Sequence, residues 1–462
     1  MAKTILKKND ELILDIEDVT NLGFGVGKHG GAVIFVARAV KGDRVKVKII
    51  KAASSYYVGR VAEYLNLSPL RDGERCKNEL CRSCAYRELG YAAELDIKTE
   101  TVRAAFVKEG LSGVRVLPCV PSPRGEGYRN KAQYPVTTDK NGNYVIGFYA
   151  PKTHTVCEAA DCVIAPPIFS EILGEVREFL ARHRITTYRE ESGEGLLRHV
   201  YLRRSEELSE VLVTLVINGE TLPHAGELVS SLTSRFSEIC GILINVNRLD
   251  TNVVLGDKFI TLWGRDYITD TLAGVKLKIT APSFYQVNHG SAGYIYGEAR
   301  RLAALEKDDT LLDLFCGAGS IGLSMARDCR ELIGIEIVES AVECARYNAR
   351  ENGIENASFY TGDASDAEKL LARAEEERGA PIMPDVVVLD PPRQGSSAEL
   401  LTFIAKKSPK RIVYISCNPT TLARDVKILI ELGYMPGDVL PVDMFPLAGH
   451  VESLVCLTKQ TN

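Results

Sequence analysis

Short runs in which apolar and polar residues alternate open the chain. Over residues 10–65 they read LILDIEDV, GFGVGKHGGAVIFV, DRVKVKIIK and YYVGRVAEYL, separated by glycine turns. A period of two is the mark of half-buried strands, and these strands predict a small β-barrel. NLSPLRDGER, which follows, reads as a linker. A helix is expected over 92–110, with Leu95, Thr99, Val102, Phe106 and Val107 along one stripe. PCVPSPRGEG then reads as a loop. Residues 128–265 are mixed, with strands expected at NYVIGFY, HVYLRRS and EVLVTLVI and a helix over 168–183. From about residue 275 strands alternate with helices. The strands are TLLDLF, ELIGIEI, DVVVLD and RIVYIS, and the helices fit 339–352, 397–407 and 420–432. That alternation predicts an α/β fold with a parallel sheet wrapped on both faces. DVLPVDMF and HVESLVCLT predict a closing antiparallel hairpin. There is no internal repeat and no low-complexity tract.

A chain of 462 residues exceeds one ordinary core, so two or three domains are expected. Its 45% hydrophobic and 25% charged content is that of a soluble globular protein. No apolar stretch follows the lysines of MAKTILKKNDEL, and no run approaches a membrane span. A cytoplasmic protein with no membrane partner is therefore expected. The net charge of −5 does not advertise a nucleic-acid binder, yet residues 1–60 hold 11 Lys/Arg against 6 Asp/Glu. Such a basic arm is compatible with RNA binding.

Asp313-Leu-Phe-Cys-Gly-Ala-Gly-Ser-Ile-Gly322 follows a strand and opens a helix. Gly317 and Gly319 let the backbone turn sharply and approach a ligand closely. Glu336 ends the next strand, where a carboxylate accepts hydrogen bonds from ribose hydroxyls. Asp363 closes the third strand and can meet an adenine amino group. This pattern, with acids at two successive strand ends, favours S-adenosylmethionine over a nicotinamide cofactor or an ordinary turn.

Three further segments sit where strands end: Asp390-Pro-Pro-Arg-Gln-Gly, Ser416-Cys417-Asn-Pro419 and His450-Val-Glu452-Ser. Carbon 5 of uracil is a poor nucleophile. A thiolate adding to carbon 6 activates it, and a base must later remove the carbon 5 proton. Cys417 and Glu452 supply those two groups, and Asp390 can hold the uracil edge. Asp-Pro-Pro alone also suits methylation of an adenine amino group, which needs no cysteine. Its pairing with Ser-Cys-Asn-Pro turns the reading toward carbon 5.

Together with Phe284-Tyr-Gln-Val-Asn288 and Gly449-His-Val-Glu-Ser453, these segments resemble the RNA uracil-5-methyltransferase family, in its 23S ribosomal RNA branch. The resemblance implies Cys417 as nucleophile and Glu452 as general base. Gln286, Phe315, Glu336, Asp363 and Asp390 would line the cofactor and uracil pocket. Ser320 stands where a related branch carries Asn. The resemblance further implies a TRAM domain, an OB-like RNA-binding barrel, over 1–68. A central iron–sulfur domain would take 69–91 and 119–265. A Rossmann-like methyltransferase domain would take 92–118 and 266–462.

The chain holds 12 cysteines, three of them crowded into residues 76–84. In a reducing compartment such crowding suggests metal rather than disulfides. Cys76, Cys81 and Cys84, with Cys162 as a distant fourth, could hold zinc or an iron–sulfur cluster, and spacing does not choose. The family resemblance implies a 4Fe-4S cluster on these four. Cys157 is the rival fourth ligand. Arg129, Lys131, Arg198 and Arg203 are candidate RNA backbone contacts, and Tyr134 and Phe284 candidate stacking surfaces. His199 and His450 are read as structural. No protein partner is implied, and a monomer is expected. Two other readings stand beside the ribosomal one: a transfer-RNA uridine methyltransferase, and a non-catalytic iron–sulfur RNA-binding or assembly factor. Intact Cys417, Glu452 and Asp390 argue against the last.

Overall fold

The computed structural model describes residues 6–460 apart from 79, 152, 160 and 380. The alternating N-terminal runs form a six-stranded sheet in the order Glu11–Asp15, Arg44–Ala52, Tyr56–Asn66, Ala32–Ala37, Phe24–His29, Asp18–Val19. Inward residues Leu14, Ile34, Val36, Val45, Val47 and Ile49 make its core. Gly59 is required there, because a Cβ would lie 2.2 Å from Val47 Cγ1. The segment expected as a linker is instead pinned. Arg71 pairs with Asp43 at 2.6 Å and with Glu88, and it bridges to Leu89.

Next comes a seven-stranded sheet, ordered Lys258–Gly264, Ile239–Val246, Val211–Ile217, Leu197–Arg204, Lys131–Thr138, Tyr144–Tyr149, Val156–Glu158. Helices Pro167–His183 and Ala225–Arg235 cover one face, over a core that includes Tyr134, Phe169, Val200 and Val213. From the sheet, Tyr201, Leu212 and Leu243 join a second apolar cluster with hairpin Tyr267–Leu272/Val275–Thr280. That cluster continues onto the C-terminal sheet through Leu311, Val388 and Val413.

The C-terminal sheet runs Ala357–Thr361, Glu331–Glu336, Thr310–Leu314, Val386–Leu389, Arg411–Ser416, Glu452–Lys459, Tyr434–Pro436. The first five strands are parallel, and Glu452–Lys459 is antiparallel to Arg411–Ser416. Both faces are apolar, so the strands read as continuous runs of Val, Ile and Leu. Leu440–Val442 pairs with Glu452–Lys459, which is the closing hairpin. The order reverses at Thr310–Leu314, whose successors lie to either side of it, and such switch points open a crevice for ligands.

Helix Tyr91–Lys108 places Val102 and Phe106 in the same apolar cluster as Leu400, Leu422 and Val426. The expected stripe is only partly right. Val107 is exposed, while Glu94 and Lys98 are buried and pair with each other at 2.7 Å. Lys98 also meets Asp443 at 2.6 Å. Among the described residues no helix is long and apolar enough to cross a membrane.

Candidate active site

Strand ends converge on the crevice. Asp313 is fully buried, and one of its carboxylate oxygens accepts the Gly322 N–H at 2.9 Å, tying the glycine turn to the strand. Its other oxygen has no partner among the described residues. Phe315 takes a left-handed backbone at φ 65°, strain of the kind that gathers at ligand sites. Gly317 and Gly319 also have positive φ, and a Cβ on Gly317 would meet open space. Glu336, at the end of the neighbouring strand, accepts the Gly317 N–H at 3.1 Å and the Val338 N–H at 2.9 Å. The Ser320 and Tyr296 hydroxyls share a hydrogen bond at 3.0 Å, and Asp363 sits exposed beyond the third strand.

Because the last strand is antiparallel, Ser416 pairs with Ser453 in register. Cys417 and Glu452 are the next residues outward from that pair, so they lie side by side at the crevice. Cys417 is half-buried just ahead of helix Pro419–Glu431, whose cap is the Asn418 side chain on the Thr420 N–H at 3.1 Å. Burial first, then the charges of Glu452 and Asp390, push the Cys417 thiol upward, while Arg393 pulls the other way. Burial and Asp390 push Glu452 up to about 8, again against Arg393. Burial alone takes Asp390 to about 7, and burial leads the rise of Asp313 to about 7. These carboxyl groups crowd one another with little cationic relief. A cation seated among them would restore their charged forms.

The strand that begins at Glu452 is entered through an anchored turn. Asp443 accepts from Lys98 and from Tyr91 Oη at 2.9 Å, and Leu447 is fully buried. Gly449 passes so close to Asn21 that a Cβ would lie 2.0 Å from its carbonyl oxygen, so the barrel abuts this turn. His450 stands edge-on to Phe445 at 6.0 Å between centroids, and burial lowers its pKa.

Gln286 accepts from Asn130 Nδ2 through its main-chain oxygen at 2.8 Å, so Tyr128-Arg-Asn-Lys131 lies along Phe284–Asn288. Phe284 is 66% exposed, which leaves its ring open for stacking. Lys131 has its pKa lowered to about 8 by burial and then by Arg203 and Arg129, with no acid among the causes. Three expected RNA contacts are structural instead. Tyr134 is buried in the central core. Arg198 lies over the Tyr188 ring at 4.1 Å and donates to the carbonyls of Asn247 and Leu249. Arg203 is buried and donates to the carbonyls of Ala281 and Ser283. An arginine in a strand gives no hint that carbonyls alone will satisfy it.

Two residues of the site went unread. Tyr296, on helix His289–Ala303, feels Asp390, Asp313 and Glu452, so its hydroxyl reaches the crevice. Arg393 is the cation that opposes both Cys417 and Glu452. Arg393 belongs to a motif already noted, whereas Tyr296 carries no sequence signal.

Cys76, Cys81, Cys84 and Cys162 line one cavity of about 550 Å³, together with Arg75, Lys77 and Arg129. Cys157 does not line it and aims its thiol at the Phe148 carbonyl, 2.9 Å away. Among the described residues only His183, His224 and Glu227 bring three metal-ligating atoms within 4.8 Å of one another. No three of the four sulfurs therefore stand at the spacing of about 3.8 Å that Zn–S bonds of about 2.3 Å set, although Cys76 and Cys84 are close enough to share a hydrogen bond. Glu158 and Asp161 line the cavity beside its three cations.

The parallel sheet, the glycine turn and the acids at adjacent strand ends define a Rossmann-like methyltransferase. A family model described as tRNA (Uracil-5-)-methyltransferase matches residues 244–460, and one described as TRAM domain matches 7–62. An RNA methyltransferase of Clostridium acetobutylicum, described as uncharacterized, is 38% identical over 99% of each chain. One of Halalkalibacterium halodurans is 37% identical over 98% of each. The solved tRNA (uracil-54, C5)-methyltransferase of Pyrococcus abyssi, in complex with S-adenosyl-L-homocysteine, is similar with a TM-score of 0.76. It is 27% identical, and the match covers 96% of this chain and 100% of that one. The chain belongs to the RNA uracil-5-methyltransferase family, with a TRAM domain at its N-terminus.

Proposed function

We propose that this chain methylates carbon 5 of a uridine in 23S ribosomal RNA, with S-adenosylmethionine as methyl donor, Cys417 as nucleophile and Glu452 as base. The observation that carries the reading is the placement of Cys417 and Glu452 beside one register pair, in the crevice that Asp390 shares.

S-adenosylmethionine, when bound, supplies the methyl group on a sulfonium cation. The Gly317–Gly319 turn would receive it, with Glu336 on its ribose, Asp363 on its adenine, and Phe315, Gln286 and Ser320 around it. The raised carboxyl groups of Asp313, Asp390 and Glu452 favour a cation at this place. Cys417 reacts as the thiolate, its proton lost to solvent on the open side of the half-buried sulfur. Its Sγ bonds to carbon 6 of the uracil, and the displaced π electrons make carbon 5 nucleophilic. Asp390 holds the uracil edge while charge builds on the ring oxygen. Once carbon 5 is methylated, Glu452 takes its proton. The electron pair of that C–H bond restores the C5–C6 double bond, and Sγ departs with the pair it had shared.

A stacked uridine cannot reach Cys417, so the target must turn out of its helix. Exposed Phe284 is assigned as a stacking contact for RNA and Arg129 and Lys131 as backbone contacts, and the barrel adds a second RNA surface. Cys76, Cys81, Cys84 and Cys162 are assigned to a 4Fe-4S cluster, for which the cavity they line, about 550 Å³, has room. Iron and sulfide analysis of anaerobically purified protein tests this. About four irons are expected, and stoichiometric zinc without iron would overturn it.

The match to a transfer-RNA enzyme spans both chains, so domain layout does not separate the two substrates. The test offers 23S ribosomal RNA and transfer RNA to the enzyme with tritiated methyl donor. Label in 5-methyluridine of the ribosomal RNA is expected; label in transfer RNA alone sinks the substrate assignment. RNA carrying 5-fluorouridine tests the nucleophile, since fluorine cannot leave as a proton. A lasting covalent adduct is expected, and a Cys417→Ala protein that still forms it refutes the role of Cys417.

A further inference from the structure

The Glu452 carboxylate accepts no hydrogen bond from any described residue, so its aim follows its backbone, which pairs with Val442 and runs into the Ser416–Ser453 pair. How the chain enters that strand also bears on the aim, and the entry is prepared by the turn at Leu447. Leu447 has φ 69°, a left-handed backbone that a branched side chain resists. It is held there on several sides. The Leu447 carbonyl accepts the Tyr86 N–H at 2.8 Å. The Leu447 N–H donates to Glu94 at 2.7 Å. The preceding carbonyl, of Pro446, accepts Tyr128 Oη at 2.9 Å, and that of Phe445 accepts Lys98 Nζ at 3.0 Å. The Leu447 side chain is fully buried in a small cluster made with Cys76, Cys84, Tyr128 and Ile164.

The cysteine segment supplies part of this hold, since Cys76 and Cys84 pack on Leu447 and Tyr86 bonds it, while Glu94 and Lys98 of helix Tyr91–Lys108 and Tyr128 supply the rest. Cys417 rests on the strand Arg411–Ser416 and the Asn418 cap. The pair Ser416–Ser453 ties that strand to the one Glu452 opens, and the turn at Leu447 is the further support that Glu452 has and Cys417 lacks.

We propose that Leu447 is a positioning residue for Glu452, and that the order of the cysteine pocket sets the step in which the proton leaves carbon 5. The inference rests on the reading of Glu452 as base. If the cysteine segment loosens, Leu447 can relax out of its left-handed turn and Glu452 swings from its target. Sulfur addition and methylation then proceed, but the C5–H bond is not broken and Sγ stays bonded to carbon 6. Disorder in the pocket should trap methylated RNA on Cys417 rather than abolish methylation.

The test is a single turnover of the full-length protein with labelled methyl donor and target RNA, resolved on a denaturing gel. It reads the ratio of methylated RNA bound to protein to methylated RNA set free. Leu447→Gly should raise that ratio about tenfold or more. Tyr128→Phe, which removes only the hydroxyl on Pro446, should raise it about threefold and decides the matter if Leu447→Gly fails to fold. Cluster-depleted protein should move the same way. On 5-fluorouridine RNA, where no proton can be removed, all should form adduct at the wild-type rate, a pattern that general destabilisation would not produce. Glu452→Gln is the control, expected to trap the adduct most fully. Free product from Glu452→Gln overturns the base assignment. A trapped Glu452→Gln beside wild-type ratios for Leu447→Gly and Tyr128→Phe overturns the positioning proposal and leaves the base intact.

Discussion

Replacing Glu452 by Gln should stabilise the protein at alkaline pH while it stops product release. Glu452 is 5% exposed, and its pKa stands at about 8 against an ordinary 4.5. A carboxyl whose folded pKa is raised binds its proton more tightly in the folded state. The folded protein is therefore favoured below the unfolded pKa, and that advantage is lost as pH climbs from about 4.5 to about 8. At about 1.4 kcal/mol per pH unit, the loss has a ceiling of about 5 kcal/mol. Relaxation and entering water reduce this, and about 2 kcal/mol is a reasonable working figure. For a domain of this size that is a shift of about 4–8 °C in Tm. Glutamine keeps the shape and does not titrate. The assay is Tm for wild type and Glu452→Gln at about pH 5 and about pH 9, in one ionic strength. The two should agree at the acid end, and the variant should melt several degrees higher at the alkaline end. Asp313 and Asp390 titrate in both proteins, so the difference reports Glu452 together with its coupling to Asp390 and Cys417. Parallel curves at all pH values would refute the claim that Glu452 is a strained, proton-holding group.

Arg393→Ala removes the cation that opposes the rise of the Cys417 thiol, so the acid limb of adduct formation on 5-fluorouridine RNA should move up by about one pH unit; an unmoved limb would exclude Arg393. Lys98→Met leaves Asp443 buried without its cation and Glu94 with Arg75 alone, and urea denaturation should show a loss of about 3–5 kcal/mol. Gly449→Ala drives a Cβ into the Asn21 carbonyl. It should raise susceptibility of the barrel to limited proteolysis and slow release of methylated RNA, and a wild-type digestion pattern would contradict the close approach.

Elements with a clean period were legible from the chain alone. Residues 168–183 were read as a helix and fold as Pro167–His183, and four of the five parallel strands fell where their apolar runs lay, the exception being the edge strand Ala357–Thr361. Strands Ile239–Val246 and Lys258–Gly264 were not read, since one is a continuous apolar run and the other is half-exposed at the sheet edge. Helix Tyr91–Lys108 shows the limit of period counting. Its buried face includes Glu94 and Lys98, whose partner Asp443 lies far along the chain, so burial followed pairing rather than hydropathy.

The motifs around Cys417, Glu452, Asp390 and the glycine turn were local, because each reacting group needs a particular backbone at the end of one strand, and a few adjacent residues encode it. Composition and spacing likewise flagged the four cysteines without naming their ligand. Only the tertiary structure decided what those groups face: that an antiparallel strand sets Glu452 beside Cys417, that Tyr296 enters from a helix with no motif, that Arg198 and Arg203 spend their charge on carbonyls. It also decided that the cysteine segment grips the turn leading to the base. Each of these depends on contacts between residues far apart in the chain. Such contacts are selected by packing and by the need to satisfy buried polar groups, and neither can be read along a single strand of sequence.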